Sequence, residues 1–518
     1  MKSYKICALA LLLASLTGLV SCGGSHPDKG QEEGLELSDS IVRFSDEDAS
    51  KVTKKATFDV SAYTESAVGT LYPYALFSDG MCLQRECVNR IFGTSDEGKI
   101  KKIAVIFRGE TYYGKVETDG SWNVYLPKMS AGGPYEMTVV CEKGRISFTN
   151  VYVGEVYLLG GQSNMEWKVY QSEEVLEDLY SDREACKNDK IRMLTLSANP
   201  QKTPEKTFSS KVQWQGARAS AIRDFSAVGY LFGKTLQEEL GCPVGLVNTA
   251  VSATSIEYWM SGETYASLSG KAHCLSDTSV SFLTPSLGFN GSVYPLEGFR
   301  FRGAVWYQGC ANAEAPVSDY DVKLEAFVSM LRNFFRNENL TFTVCELARY
   351  RYDPLAYSRI NEEISAVAQK DPLVTVALNL DQGDWNDIHP KDKRAIGIRA
   401  GNETLRSFFG VAKNAAPVVT GWKRISETEA EIVLSENVVL KNGSNGFEIF
   451  TDEGYTYDCA VTVRENAVTV SSAVPFTKIR YGHNFRVMEE TVADVSKSVT
   501  VFDADGLPLD LFTLDLSG

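Results

Sequence analysis

The chain is 518 residues long, 44% hydrophobic and 23% charged, the composition of a globular protein large enough for several domains with ample core. Its formal net charge is -15 and no Lys/Arg block stands out, which excludes a nucleic-acid partner, because phosphate binding requires a basic surface. Beyond Cys7 and Cys22 there are nine cysteines, at 82, 87, 141, 186, 242, 274, 310, 345 and 459, with no CxxC or Cys/His ligand spacing. They supply neither a disulfide framework nor a zinc site, and those in apolar runs, such as Cys345 in TFTVCELA, read as buried thiols.

Residues 1–21 read as an address. Lys2 and Lys5 precede an apolar run from Ile6 to Val20 that is too short to span a bilayer comfortably. The tetrapeptide Leu19-Val20-Ser21-Cys22 resembles a bacterial lipobox, which implies cleavage before Cys22, its lipidation, and a membrane-anchored protein of the cell envelope. Residues 22–68 begin with polar sequence lacking periodicity and are expected to be a flexible tether.

From 69 to 150 the segments LYPYALFSDGMCLQ, KIAVIFRGETYYGKV, SWNVYLP and YEMTVVCEKGRISFTNVYV alternate with DG, GG and KG turns, predicting an antiparallel β-sandwich. From 151 to 414, apolar strands (EVYLLG, PVGLVNTA, FRGAVWYQG, FTVCELA, VTVALNL) alternate with helical stretches such as SAVGYLFGKTLQEELG. That alternation predicts a three-layer α/β domain with a mainly parallel sheet. From 415 to 518 short β segments return, predicting a second β-rich domain.

In an open parallel sheet ligands bind beyond the carboxyl ends of the strands. The residues there form a set: GGQSNMEW, TAVSATSIEYW, YQGCANAE and DQGDWNDIHPKDKRA. Together they offer a nucleophilic hydroxyl, backbone and amide donors, and a histidine flanked by carboxylates, the requirements of an ester hydrolase. With no HExxH and no Cys/His cluster, that chemistry has no place for a catalytic metal or other cofactor.

GEVYLLGGQSNMEW, WYQGCANA and NDIHPKDKRAIG, in that order, resemble the catalytic blocks of the sialate O-acetylesterase branch of the SGNH (GDSL-like) hydrolases. LFSDGMCLQR and AGGPYEMTV resemble that family's N-terminal β domain, so the likeness covers about 70 to 410. It implies an SGNH α/β domain with β-rich flanks. By the same resemblance Ser163 is the nucleophile and an oxyanion donor through its N-H, and His389 is the general base. Asn312 is the amide aimed at the oxyanion, with Gly309 allowing close approach. Gln162 and Gln308 are weaker substrate-binding candidates, while Glu166, Trp167, Glu257 and Trp259 read as supporting or core residues.

The chain departs from the family at three places. Ser252-Ala253 stand where paired glycines are usual, which leaves the Ser252 N-H as an oxyanion donor while narrowing the pocket. Cys310-Ala311 stand where Glu-Ser is usual. Asn386 occupies the position three before His389, where the wider pattern has Asp, so the imidazole's partner is Asp387, favoured by proximity, or Asp384, or a main-chain carbonyl. The resemblance implies a lipid-anchored esterase acting on O-acetylated sialic acids, with acetylated xylan or another plant or host glycan as the alternative substrate. A non-catalytic glycan-binding lipoprotein is the rival class.

Overall fold

A computed structural model describes residue 44 and residues 48–517, except 97, 182, 185, 276, 314–318, 351–353, 385, 442–445 and 484–498. The leader and Cys22 lie outside the described residues. The expected tether is not free along its whole length: from 48 onward it is docked on the body. Asp48 pairs with Arg300 at 2.8 Å, the Arg145 side chain donates to the Tyr63 carbonyl at 2.7 Å, and Ala67 is buried. These contacts replace the solvation that would otherwise keep such a polar segment mobile.

The organising element is the strand Gly144–Gly161. Its first half pairs antiparallel with Gly132–Cys141, and its second half lies parallel to Val244–Asn248 on one side and to Gly303–Tyr307 on the other. One strand therefore runs across the boundary expected at 150/151, and the β-rich region before it shares a single hydrophobic core with the α/β region after it. At that junction Glu155, fully enclosed, pairs with Arg85 at 2.6 Å and Arg302 at 2.9 Å and accepts from Gln84 at 2.8 Å. Burial pushes its carboxyl up, but the two guanidiniums outweigh burial and hold it at about 2.

The central sheet runs in the order Gln215–Ala217, Asn188–Thr195, Val244–Asn248, Gly144–Gly161, Gly303–Tyr307, Thr341–Cys345, Val374–Ala377, parallel throughout except for the first strand. All five apolar strands expected between 151 and 414 are present. Asn188–Thr195 was not anticipated, because it opens on Asn-Asp-Lys and lacks the continuous apolar run of its neighbours. After Gly161 the chain builds the sheet on one side, then crosses to the other with Gly303–Tyr307. The order thus reverses at the long strand, the place where a crevice opens in such sheets.

The helix Ala227–Leu240 starts with the Ser226 hydroxyl accepting from the Gly229 N-H at 3.0 Å and stops at Gly241 in the left-handed conformation. Arg394–Phe409 packs against it and ends in the same way at Gly410. Beyond 415 the described strands form antiparallel sheets around a separate core. Leu380, from the loop after Val374–Ala377, is inserted into that core, so the C-terminal module anchors a loop of the central domain. Among the described residues no helix is long and apolar enough to cross a membrane.

Candidate active site

The long strand delivers its last residue, Gly161, against Tyr307 with φ at +135°, where a Cβ would stand 2.2 Å from the Tyr307 carbonyl oxygen. Only glycine fits that close approach. The chain then turns at once into the short helix Ser163–Glu166, with Ser163 in its first position. The Ser163 N-H sits among the first amides of a helix, which lack intrahelical acceptors, and it donates to no acceptor among the described residues.

His389 reaches this turn from the loop that follows Val374–Ala377. Its Nε2 lies 2.9 Å from the Ser163 hydroxyl, and its Nδ1 lies 3.2 Å from an Asp387 carboxylate oxygen that also accepts the His389 N-H at 2.9 Å. A carboxylate only accepts, so Nδ1 carries the proton and Nε2 is left free to take one from Ser163. Asp384 is turned elsewhere, its carboxylate accepting the Asn386 N-H at 2.8 Å. The imidazole is half-buried. Burial pushes its basicity below the ordinary 6.5 and Lys393 adds to that, while Asp387 opposes both. The Trp167 indole stacks on the ring, centroids 4.8 Å apart and planes 20° from parallel.

The other expected donors are placed differently. The Ser252 N-H donates to Glu166 at 2.8 Å and the Ser252 hydroxyl donates to the same oxygen at 2.5 Å, so that amide is taken. Its neighbour Ala253 lines the cleft with φ at +63°, and its N-H has no acceptor among the described residues. A non-glycine residue in that conformation carries strain of about 1 to 3 kcal/mol. Asn312 is enclosed. Its carbonyl oxygen accepts from the Ile256 N-H at 3.0 Å and from Gln308 at 2.8 Å, and its nitrogen donates to Glu257 at 2.9 Å. Gln308 is equally buried, donating to the Thr254 carbonyl at 3.0 Å and accepting from the Tyr320 hydroxyl at 2.8 Å. Asn312 and Gln308 thus form an internal polar network with Glu257 and do not line the cleft. Both Gln308 N-H groups and the Asn312 oxygen are engaged inside this network, and one Asn312 N-H is held by Glu257, as enclosure without solvent requires.

Gln162 does line the cleft, its side-chain oxygen accepting from the Gly309 N-H at 3.2 Å and the Ala311 N-H at 3.4 Å. Gly309 has φ at +148°, and a Cβ there would lie 3.0 Å from Ile360. The cleft is about 700 Å³. Glu166, Lys168, Tyr170 and Gln171 line one part of it; Leu275, Phe282 and Leu283 supply an apolar wall; Cys310 and Ala311 also border it. Burial pushes the Cys310 thiol up to about 11, so it is a packing group in this cleft and not a nucleophile.

Sequence reasoning passed over Asn164 and Lys393, gave Ala253 no role of its own, and placed Glu166 and Trp167 as supporting or core residues, which their contacts with Ser252 and His389 make specific. Asn164 directly follows Ser163, and Trp167 stands four residues after it, in a quoted block. Nothing in KDKRA separates the enclosed Lys393 from the other lysine beside it. All nine cysteines from 82 onward are free thiols, and among the described residues no group of three His, Cys, Asp or Glu side chains is placed to hold a metal.

Residues 153–399 match the family described as carbohydrate esterase, sialic acid-specific acetylesterase. The chain is 24% identical to the human sialate O-acetylesterase over 380 residues, covering 65% of this chain and 71% of the human one. It is 25% identical to the mouse sialate O-acetylesterase over 402 residues, covering 66% and 74%. Its fold superposes on the crystal structure of a carbohydrate acetylesterase from Xanthomonas citri with a TM-score of 0.75 and 26% identity, over 86% of this chain and 99% of that one.

Proposed function

We propose, from the premise that this chain belongs to the sialic acid-specific acetylesterase family of carbohydrate esterases, that it removes O-acetyl groups from sialic acids by a Ser163-His389-Asp387 mechanism. The observation that carries this reading is the continuous hydrogen-bonded run from Ser163 through His389 to Asp387 at the mouth of the cleft.

In the first step the Ser163 oxygen attacks the acetyl carbonyl while Nε2 of His389 takes its proton, and Asp387 stabilises the imidazolium that forms. The N-H groups of Ser163 and Ala253 are the donors available to the oxyanion. His389 then returns the proton to the departing sugar hydroxyl. Water, deprotonated by the same ring, then attacks the acetyl-enzyme; the bond to the Ser163 oxygen breaks, the ring returns the proton to that oxygen, and acetate leaves.

Lys168 favours an acidic sugar over neutral xylan. It is the only lysine or arginine among the described residues lining the cleft, and a sialic acid carboxylate is its natural complement. The mainly parallel central sheet, whose order reverses at Gly144–Gly161, supports the reading of a three-layer SGNH fold carrying β-rich regions before and after it, and the sequence of the leader 1–21 with Cys22 supports the reading of a lipid-anchored envelope protein.

Acetate release from O-acetylated sialosides, acetylated xylan and a chromogenic acetate tests the reading, with Ser163→Ala as control. Turnover of sialosides by wild type and none by the variant is expected. Activity confined to xylan would replace the substrate, and no activity on any substrate would leave a glycan-binding protein.

A further inference from the structure

Lys393 is fully enclosed, and it forms no ion pair among the described residues. Its ammonium donates to the Asn164 side-chain oxygen at 2.6 Å and lies 5.5 Å from the centroid of the Trp167 ring, the ring that stacks on His389. An ammonium has donors only, so it dictates which end of the Asn164 amide faces it. The nitrogen end is thereby aimed the other way and donates to the Ile388 carbonyl at 3.2 Å. Asn164 directly follows Ser163, and Ile388 directly precedes His389. One amide thus ties the nucleophile's turn to the base's loop, and Lys393 sets its orientation.

A neutral donor would satisfy Asn164 at lower cost. Burial disfavours the charge, and Lys393 caps the N-terminal end of Arg394–Phe409, where the helix dipole also disfavours a cation. The placement of a charge there calls for a reason beyond one hydrogen bond.

We propose that Lys393 is a positioning residue for the esterase reaction, locking Ser163 to His389 through Asn164 and setting a positive charge beside the Trp167 ring that stacks on His389. It rests on the reading of Ser163 and His389 as the reacting pair. The charged groups that face His389 are Asp387 on its own loop and Lys393. Those that face Lys393 are Asp387 and Asp392 from its own segment, Cys310 from the turn after Gly303–Tyr307, and Cys345 at the end of Thr341–Cys345. Burial lowers the ammonium to about 7 against these partners, so the charge is present over the range in which the imidazole titrates. It keeps His389 neutral, and able to accept a proton, in mildly acidic solution.

The test measures kcat/KM against pH on a chromogenic acetate for wild type, Lys393→Met and Asn164→Ala. Both variants should lower kcat about 10-fold to 100-fold by loosening the Ser163-His389 register. Only Lys393→Met should move the acid limb to higher pH, since Asn164→Ala leaves the charge in place. An unmoved limb in Lys393→Met, or wild-type kcat in both variants, overturns the proposal. If Lys393→Met does not fold, the imidazole ¹⁵N titration of wild-type His389 decides: a second inflection near the Lys393 transition supports it, and a single step overturns it. An active Ser163→Ala would instead refute the reading of the site, independently of Lys393.

Discussion

The indole of Trp167 and the imidazole of His389 lie face to face, 4.8 Å apart and 20° from parallel, while the His389 ring is held at its two nitrogens by Ser163 and Asp387. The stack controls the one freedom those hydrogen bonds leave, rotation of the ring about the line joining them. An aromatic pair contributes about 0.5 to 1.5 kcal/mol beyond its buried area. Trp167→Ala is therefore expected to lower kcat roughly 3-fold to 10-fold, with Trp167→Phe close to wild type. Steady-state kinetics on a chromogenic acetate would show it, and equal losses in both variants would assign Trp167 to substrate contact.

The position of the acid limb follows from the surroundings of His389. The base must be neutral to act, and burial with the Lys393 charge holds its basicity below the ordinary 6.5, so kcat/KM should stay high down to a pH under that value before falling. Asp387 opposes both effects. Asp387→Asn should thus move the limb still lower and cut kcat by up to ~10⁴, as loss of a triad carboxylate does, whereas Asp384→Asn should change neither. Near wild-type kcat in Asp387→Asn would make the site a Ser163-His389 dyad.

Asn312 separates a buried strut from an oxyanion donor. Its amide satisfies Ile256, Gln308 and Glu257. Removing it strands those partners, so Asn312→Ala should cost about 1 to 3 kcal/mol of stability by denaturant unfolding. The folded variant should keep its kcat. A fall in kcat of ~10² to 10³ at unchanged stability would restore the oxyanion role.

Glu155 provides the stability test. Glu155→Ala leaves Arg85 and Arg302 buried without their carboxylate and is expected to destabilise by roughly 3 to 5 kcal/mol. Its folded carboxyl lies at about 2 against an ordinary 4.5, a depressed value. The stability it contributes is therefore complete above 4.5 and is lost as the pH falls through 2. Wild type and variant should converge in acid, and a difference that persists at the lowest pH would point to packing instead of charge.

Strand-helix alternation, the five apolar strands of the central sheet and the polar clusters at their carboxyl ends were legible in the sequence, because each depends on short-range pattern: apolar runs of strand length followed by glycine and small polar residues. Ser163 and His389 were named by the likeness of their blocks to a known family, and Asp387 by its closeness to His389; a serine in a glycine-rich turn or a histidine beside carboxylates would not alone have singled them out. What only the tertiary structure decided is where hydrogen bonds go once groups are enclosed. The Ser252 N-H is taken by Glu166, and one N-H of the Asn312 amide by Glu257, because enclosed donors must find acceptors among whatever neighbours the fold supplies. Lys393 differs from Lys391 by burial alone, and burial depends on how Arg394–Phe409 and the loop before it pack over the nucleophile turn. The boundary expected at 150 failed for a related reason: the strand Gly144–Gly161 belongs to two sheets at once, and that is a property of its pairing partners, not of its own residues.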